Sequence, residues 1–451
     1  MNCQSSVALF ELRAPTDQAD LVRAILRLDG WLDTMRGPDG YGGPVAHWWQ
    51  NCLQFTGAAL DWRYEGIIIG YLNLYRHTRS LQWLYKACQA GNDLVNGQMP
   101  TGNFRNSCFE ANPYPGGTPH EAACDLGLLH LASTLKQHDE PDWPIYATAA
   151  ERNMRDYYLD QLWDSESQQF WDHPTIPSFV PNKSATLAEA LFALTQITED
   201  DEFAEVYAIP TLNHILSHQL RQDDALDGAI YQYSQNNRFV AWFFPYYIAR
   251  CASGLVAGYE WTGDSQYLEG ARRAMQFVLR WRYEDGSFPQ VVYSKNRTNR
   301  FPQWIAAVGD ILRVMVLMIP YGLEADLEPT LTWLLRGQDA TGGLRTAHGF
   351  AAQASQGSPG PLPEFRDLLP VCGWADKTWR FMTGLLSPDS PIPLFDPERQ
   401  PWETDCVFRG DRMLYREDDA SIKLFHHKRL IYDWAKVTPW PQTCELRMHL
   451  K

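Results

Sequence analysis

The chain has 451 residues, of which 45% are hydrophobic and 21% charged, and these proportions are typical of a globular protein rather than a disordered one. Acidic residues outnumber Lys and Arg by 54 to 39, and the net charge of −15 argues against nucleic acid or an anionic membrane as the main partner. The first residues lack a basic segment followed by a long apolar run, so we expect neither a secretion signal nor a membrane span. Nine widely spaced cysteines without a C-x-x-C pair indicate reduced thiols and a cytoplasmic location.

A turn pattern recurs six times along the chain. Each copy has a small or polar pair, often with glycine, followed by an aromatic or aliphatic anchor. The copies follow one another about every 60 residues. The six anchors are Tyr41, Phe104, Phe170, Ile230, Phe288 and Leu344. A repeat of this regularity predicts six copies of one structural unit.

Two helical patterns lie in each period of this repeat. The helices that lead into the turns have one charged face, and they are predicted over 17–35, 79–97, 142–163, 202–221, 265–283 and 324–338. The helices that follow the turns are apolar on nearly all sides, and they are predicted over 64–77, 119–137, 183–198, 239–261, 302–321 and 365–386. Because a helix that is apolar all round is buried, the second set predicts the inner ring of an all-α (α/α)6 toroid.

The C-terminal residues follow a different pattern. Residues of β type at 406–415, 421–426 and 428–434 lie on both sides of a turn at 417–420. We therefore expect two domains, an (α/α)6 toroid over residues 1–386 and a small β-rich appendage over residues 387–451.

Six helical pairs with glycine–aromatic turns resemble two groups of proteins. One group comprises the six-hairpin glycosidases with the related polysaccharide lyases and sugar epimerases. The other comprises the terpenoid cyclases, whose repeat signature is similar to the Gln-Asp-Ala-Thr-Gly-Gly-Leu of residues 338–344. The resemblance covers residues 17–386 at the level of the fold and points to no single family. It implies a carbohydrate-active enzyme or a cyclase, and the fold alone does not decide between them.

Two sequence motifs of terpenoid cyclases argue against the cyclase hypothesis. Protonating cyclases carry an Asp-x-Asp-Asp acid, and this sequence has none. Ionising terpene synthases bind magnesium through Asp-Asp-x-x-Asp on a helix. Asp223-Asp-Ala-Leu-Asp227 matches that string but lies in the loop before the fourth turn, where a solvated acidic loop is the expected interpretation. We therefore expect no metal and no cofactor.

Carboxylates near the starts of the inner helices are the candidate catalytic groups, because glycosidic hydrolysis uses two carboxyls as acid and base or nucleophile. Glu121 and Asp125 lie one turn apart, and like charges at this spacing raise one pKa, as a general acid requires. The alternative is that Glu121 stabilises the N-terminal end of its helix. Glu65 begins the preceding inner helix and is the candidate partner across the ring. Asp310 is interpreted as a structural partner of Arg313 at i+3.

Aromatic, amide and cationic side chains near the toroid mouth are the candidate substrate-binding groups. Rings cover the apolar faces of sugars, while amides and guanidinium groups bind hydroxyls and carboxylates. The candidates are His120, Arg105, Asn106, Lys183, Arg238, Trp242, Tyr246, Arg297, Arg300 and Trp304. So many cations in an acidic chain favour an anionic ligand such as a uronate, although each could instead pair with a nearby carboxylate.

The leading hypothesis is therefore a glycoside hydrolase acting on an oligosaccharide, with a small molecule or oligosaccharide as its partner. A lyase or epimerase with Tyr246, Tyr247 or His120 as base is an alternative from the same fold. A terpenoid cyclase with an aromatic-lined cavity and a non-catalytic ligand-binding toroid are further alternatives.

Overall fold

The structure is a computed structural model. It describes residues 18–47, 52–56, 58–105, 107, 120–236, 238–352, 359–387, 392 and 398–437. Among these residues, none of the helices combines the length and apolar character needed to cross a bilayer.

Outer and inner helices alternate along the chain, as the two helical patterns predict. The outer helices are α1 (Gln18–Thr34), α3 (Leu81–Gly97), α5 (Trp143–Asn153, continued by Met154–Leu162), α7 (Phe203–Ala208, continued by Ile209–Ser217), α9 (Ser265–Arg280) and α11 (Glu328–Leu335). The inner helices are α2 (Arg63–Thr78), α4 (Ala122–Gln137), α6 (Pro181–Thr198), α8 (Pro245–Thr262), α10 (Val308–Met318) and α12 (Cys372–Gly384).

The inner helices form a closed ring. Each contacts the next in the order α2, α4, α6, α8, α10 and α12, and α12 contacts α2 again. Each of the outer helices α3 to α11 packs against the inner helix before it, while α1 packs against α12. The first outer helix, α1, and the last inner helix, α12, therefore form the sixth pair. The predicted (α/α)6 toroid is confirmed.

The six repeated turns share a backbone conformation that explains their glycines. One residue with positive φ comes one or two positions before each anchor: Gly40, Gly102, Gln168, Gly228, Gly286 and Gly342. At Gly342 the φ is +90°, and a Cβ would lie 2.1 Å from the carbonyl oxygen of Arg27 in α1. The last turn therefore closes the ring against the first helix, where a side chain has no room.

Three inner helices begin at least six residues later than their patterns predict. α12 begins at Cys372 rather than at residue 365, after a separate short helix over Phe365–Leu368. α8 begins at Pro245 rather than at residue 239, because Trp242–Phe243 pairs with Val291–Tyr293 as a short antiparallel strand. α10 begins at Val308 rather than at residue 302, because Gln303–Trp304 forms another short strand. Aromatic residues favour strands, and proline is well suited to the first turn of a helix. These strands surround the mouth of the toroid.

The C-terminal β region is also confirmed. Strands Trp402–Phe408, Asp411–Glu417, Ser421–His426 and Arg429–Ala435 form one antiparallel sheet in chain order. The ring of Phe365, just before α12, packs within 5.5 Å of the rings of Phe408 and Trp434. The sheet therefore shares the apolar core of the toroid. The boundary between residues 386 and 387 stays a prediction.

Candidate active site

A cavity lies at the mouth of the toroid. All six inner helices line it with residues from their first two turns or from the segments just before them. The lining consists of Trp62, Glu65, His120, Ala123, Asn182, Lys183, Thr186, Tyr246, Tyr247, Arg250, Asp310, Trp374 and Lys377. The closure of the ring thus brings together residues that are more than 300 positions apart in the sequence.

Aromatic rings form one wall of this mouth cavity. The ring of Trp62 lies 4.9 Å from that of His120 and 6.0 Å from that of Trp374. Tyr246 contacts Trp374 edge to face at 5.8 Å, and Tyr247 lies 5.4 Å from Tyr246. Such a wall offers several ring faces to the apolar side of a small ligand.

Glu65 lies at the charged floor of the mouth cavity and is 2% exposed. Its Oε1 lies 2.8 Å from Arg250 Nη1 and also contacts Arg380, while its Oε2 lies 3.4 Å from Lys377 Nζ. Burial opposes ionisation, but these three cations hold the pKa of Glu65 well below its usual range. Glu65 is therefore an ionised carboxylate that contacts three cations.

Asp310 and Arg250 present unused hydrogen-bonding atoms to the mouth cavity. Asp310 Oδ1 accepts a bond from Arg313 Nε at 2.8 Å, which is the predicted structural pair. Asp310 Oδ2 lies 3.8 Å from Arg250 Nη1, and Arg250 Nη2 lies 3.8 Å from Glu189 Oε2. Neither Oδ2 nor Nη2 has a hydrogen-bond partner among the described residues. A buried acceptor and a buried donor thus belong to two residues of the mouth cavity lining, and an unsatisfied buried polar atom of this kind is costly.

Asp376 carries a pKa shift opposite to that of Glu65. Burial raises the pKa of Asp376 to about 8, although Lys377 donates to its Oδ2 at 2.9 Å. Asp376 is not part of the mouth cavity lining, since it packs directly against Gly66, where a Cβ would lie 2.3 Å from its carbonyl oxygen. Two carboxyls on either side of Lys377 therefore favour different protonation states.

The predicted catalytic pair Glu121 and Asp125 lies outside the mouth cavity lining. Glu121 is fully buried, and its carboxylate accepts bonds from Ser107 Oγ at 2.6 Å, Phe104 N at 2.9 Å and Asn153 Nδ2 at 2.7 Å. Burial raises its pKa to about 7, against the effect of these donors. The contacts anchor the second repeated turn to α4 and α5. The catalytic role of Glu121 stays a prediction.

Asp125 is also fully buried, one turn further along α4. Burial and the nearby charge of Glu121 raise its pKa well above the usual range. Its carboxyl oxygens have no hydrogen-bond partner among the described residues. A carboxyl that burial keeps neutral and that lies outside the mouth cavity lining is consistent with packing between the rings, and the catalytic role of Asp125 stays a prediction.

The structure separates the predicted binding residues into two groups. His120, Lys183 and Tyr246 line the mouth cavity together with Glu65, and Lys183 Nζ lies 2.8 Å from Asp172 Oδ1. Outside that lining lie Arg105, Arg238, Trp242, Arg297, Arg300 and Trp304. Asn106 lies outside the described residues.

Two of the cations outside the lining contact tyrosine rings. Arg297 belongs to the strand Arg297–Asn299, where its guanidinium lies 6.0 Å from the ring of Tyr293. Arg300 lies 4.6 Å from the ring of Tyr283. The pairing with a carboxylate that the sequence left open is found instead at Lys183 and at Arg105, whose Nη2 lies 3.7 Å from Asp39 Oδ1.

Arg250, Trp374 and Lys377 belong to the mouth cavity lining but were not among the predicted site residues, and Asp310 was assigned a structural role alone. Arg250 follows Ile248-Ala in an apolar helix, where an unpaired charge is costly, and that position was the available signal. Among the described residues, no group of three or more His, Cys, Asp or Glu side chains is arranged to hold a metal ion.

Comparisons with known proteins identify the fold. No protein-family model and no curated protein matches this sequence. An unsaturated glucuronyl hydrolase specific for heparin has a TM-score of 0.56 and 11% identity, over 81% of this chain and 95% of its own. A D-mannose isomerase has a TM-score of 0.59 and 10% identity, over 81% and 97%. A sugar epimerase from a ruminal bacterium has a TM-score of 0.60 and 12% identity, over 82% and 98%.

These solved structures are six-hairpin toroid proteins, and the chain shares that fold with them over most of its length. The identities are too low to carry an activity from one protein to another. The class that the fold defines is therefore the (α/α)6 toroid, and no single family within it is indicated.

Proposed function

We propose that this protein is a carbohydrate-active enzyme that binds a sugar in the mouth cavity. The observation that carries the proposal is the aromatic wall of Trp62, Tyr246 and Trp374 above the unpartnered Asp310 Oδ2 and Arg250 Nη2. A sugar ring has an apolar face for such a wall and hydroxyls that both donate and accept. The solved toroid structures, whose names include a glycoside hydrolase and sugar isomerases, support the same class of substrate.

The reaction we propose is hydrolysis of a glycosidic bond. This chemistry needs an ionised carboxylate beside the reacting carbon, and Asp310 is the cavity carboxylate with a free oxygen. Burial opposes its ionisation, but Arg313 and Arg250 lower its pKa, so it is charged at neutral pH. Asp310 would then take a proton from the attacking water, whose oxygen bonds to the anomeric carbon as the glycosidic bond breaks. His120 on the cavity wall would give a proton to the leaving oxygen, while Glu65 holds Arg250 and Lys377 in position.

Isomerisation or epimerisation is the second candidate, and one observation favours it. Both carboxylates in the described cavity lining, Glu65 and Asp310, have lowered pKa values, so neither supplies the proton that a glycosidic leaving group needs. His120 lies on the cavity wall, and imidazole is the side chain that most often exchanges protons near neutral pH. A proton transfer on a free sugar would use His120 in place of a carboxyl acid.

The terpenoid cyclase and the non-catalytic toroid have less support. A cyclase cavity is aromatic and nearly free of amides and charges, whereas this lining contains Asn182, Lys183 and Arg250. A toroid that only binds ligands would not need carboxyls with opposite pKa shifts on either side of one lysine, as Glu65 and Asp376 are.

The test is a product assay on Asp310→Asn. We expect the native chain to convert at least one member of a panel of neutral and uronate mono- and disaccharide glycosides, and Asp310→Asn to lower kcat/KM by about 100-fold or more. New reducing ends indicate hydrolysis, and interconversion of free sugars indicates isomerisation. Asp20→Asn, an exposed surface carboxylate, is the matched control. Full activity of a folded Asp310→Asn, or a native chain that neither binds nor converts any sugar, would overturn the proposal.

A further inference from the structure

A second, smaller cavity lies beside the first. Tyr246 and Tyr247 belong to both linings, so the two cavities share an aromatic wall. Trp304, a predicted substrate-binding residue, lines the second cavity, and its ring lies 5.2 Å from that of Trp374 in the mouth cavity. A ligand that extends past these rings from one cavity reaches the other.

The second cavity differs from the first in chemical character. Its walls are apolar and aromatic, with Phe244, Phe288, Val308 and Ile311 in addition to the shared rings. Among the residues that the structure describes, its lining contains no Asp, Glu, Lys or Arg, whereas that of the mouth cavity has five such residues. A sugar ring with its many hydroxyls suits the mouth cavity, and an apolar group suits the second one.

Gln290 is the polar exception in the second cavity. It is 2% exposed, and its Oε1 accepts a bond from Asn299 Nδ2 at 2.6 Å. Its Nε2 has no hydrogen-bond partner among the described residues. A buried amide donor without a partner is costly, and an oxygen atom on a ligand would remove that cost.

We propose that the second cavity binds the aglycone of a glycoside whose sugar occupies the mouth cavity. The aglycone class is an apolar, ring-sized group that carries a carbonyl or ether oxygen as acceptor for Gln290 Nε2. This inference rests on the proposed function and deepens it, because a second subsite of this kind serves a glycoside and has no role in isomerising a free sugar. Tyr246 and Tyr247 then lie at the junction of sugar and aglycone.

The first experiment compares methyl, 4-ethylphenyl and 4-acetylphenyl glycosides of the same sugar by calorimetric titration of the full chain. Glucose, mannose, galactose and glucuronic acid are each tested in this way. We expect both aryl glycosides to bind about tenfold or more tightly than the methyl glycoside, because their rings bury apolar surface. The acetyl compound gains a further severalfold, because its carbonyl accepts from Gln290. Equal affinity of methyl and aryl glycosides would overturn the proposal.

The second experiment uses Gln290→Met, which keeps the side-chain volume and removes the donor. We expect it to abolish the preference for acetylphenyl over ethylphenyl and to leave methyl glycoside binding unchanged. Gln266→Met, an exposed glutamine on α9, is the control for the substitution itself. An acetyl preference that survives in Gln290→Met would overturn the role of Gln290.

A separate measurement distinguishes a failure of the proposed function from a failure of the aglycone proposal. If no methyl glycoside binds or is converted, the sugar assignment of the mouth cavity is wrong. The second cavity is then judged with 4-hydroxyacetophenone alone. Binding that Gln290→Met weakens supports an apolar subsite, and no detectable binding of this probe overturns it.

Discussion

Two clusters of buried charges differ in how completely their atoms are paired. In the mouth cluster (Glu65, Arg250, Asp310, Lys377 and Arg380), Asp310 Oδ2 and Arg250 Nη2 are left without hydrogen-bond partners among the described residues. In the joint cluster (Trp31, Thr341, Tyr415, Glu417 and Lys436), the terminal sheet meets α1 and the last repeated turn.

The carboxylate at the centre of the joint cluster is saturated. Glu417 is fully buried, and it accepts bonds from Trp31 Nε1 at 3.0 Å and Tyr415 Oη at 2.9 Å, with Lys436 Nζ 2.7 Å away. Both oxygens of the Glu417 carboxylate are therefore bonded within the protein, and neither is available to a ligand. We infer that the role of the joint cluster is structural. Burial and charge are common to both clusters, whereas unpaired atoms facing a cavity distinguish the mouth cluster.

The largest effect is expected at the joint. Glu417→Gln leaves the ammonium of Lys436, which is 1% exposed, without its counter-charge. We expect a loss of about 3–5 kcal/mol in the free energy of unfolding, because one partner of a buried ion pair is removed. Urea unfolding followed by tryptophan fluorescence measures it.

Two control variants test whether the loss in the free energy of unfolding comes from the ion pair between Glu417 and Lys436. Glu403→Gln breaks an exposed pair with Arg416 and should cost under about 1 kcal/mol. Glu417→Gln combined with Lys436→Met removes both charges, and it should be more stable than Glu417→Gln alone. A double variant that is no more stable would contradict the ion-pair account.

The contrast between the clusters also explains what the sequence could and could not predict. The toroid follows from local signals, since apolar periodicity and the repeated turns each act over a few residues. The joint cluster requires Trp31 and Glu417 to meet across nearly the whole chain, and no local pattern records that contact.

The mouth cluster was hard to predict for a related reason. The inner helices are apolar on nearly all sides, so their periodicity does not say which face points into the lumen. Glu65 was found because it begins a helix, while Arg250 and Lys377 lie inside helices and were missed. Arg297 and Arg300 were selected for their charge, but both lie against tyrosine rings outside the mouth cavity lining.

A smaller effect is expected at Glu121, which resembles Glu417 in its pairing. Its carboxylate accepts bonds from Ser107, Phe104 and Asn153, so Glu121→Gln should cost about 1–3 kcal/mol in stability. If saturation marks a structural group, kcat/KM of the folded variant should stay within about twofold of the native value, because no interaction with the transition state is lost. A loss of activity as large as that of Asp310→Asn would instead establish the catalytic role that the sequence predicts.

The smallest expected effect is a difference between the two clusters in how their contribution to folding stability depends on pH. Burial and the charge of Glu417 raise the pKa of Asp339, beside the joint, to about 7 from an ordinary value of 3.8. Because the folded state binds this proton more tightly, its contribution to stability is full below about pH 4 and is lost as the pH rises to about 7. The mouth carboxylates Glu65 and Asp310 have lowered pKa values, so their contribution is present above about pH 4 and is lost at lower pH.

Asp339→Asn should therefore reduce the fall in stability between pH 5 and pH 7.5, while Asp20→Asn on the exposed face of α1 should leave that fall unchanged. Urea midpoints at the two pH values for the native chain and both variants measure the difference. Equal falls in the native chain and Asp339→Asn would mean that Asp339 is already ionised at pH 5, held so by the bonds that Thr341 donates at 2.8 and 2.6 Å. The joint would then have the same pH response as the mouth, and pairing alone would distinguish the two clusters.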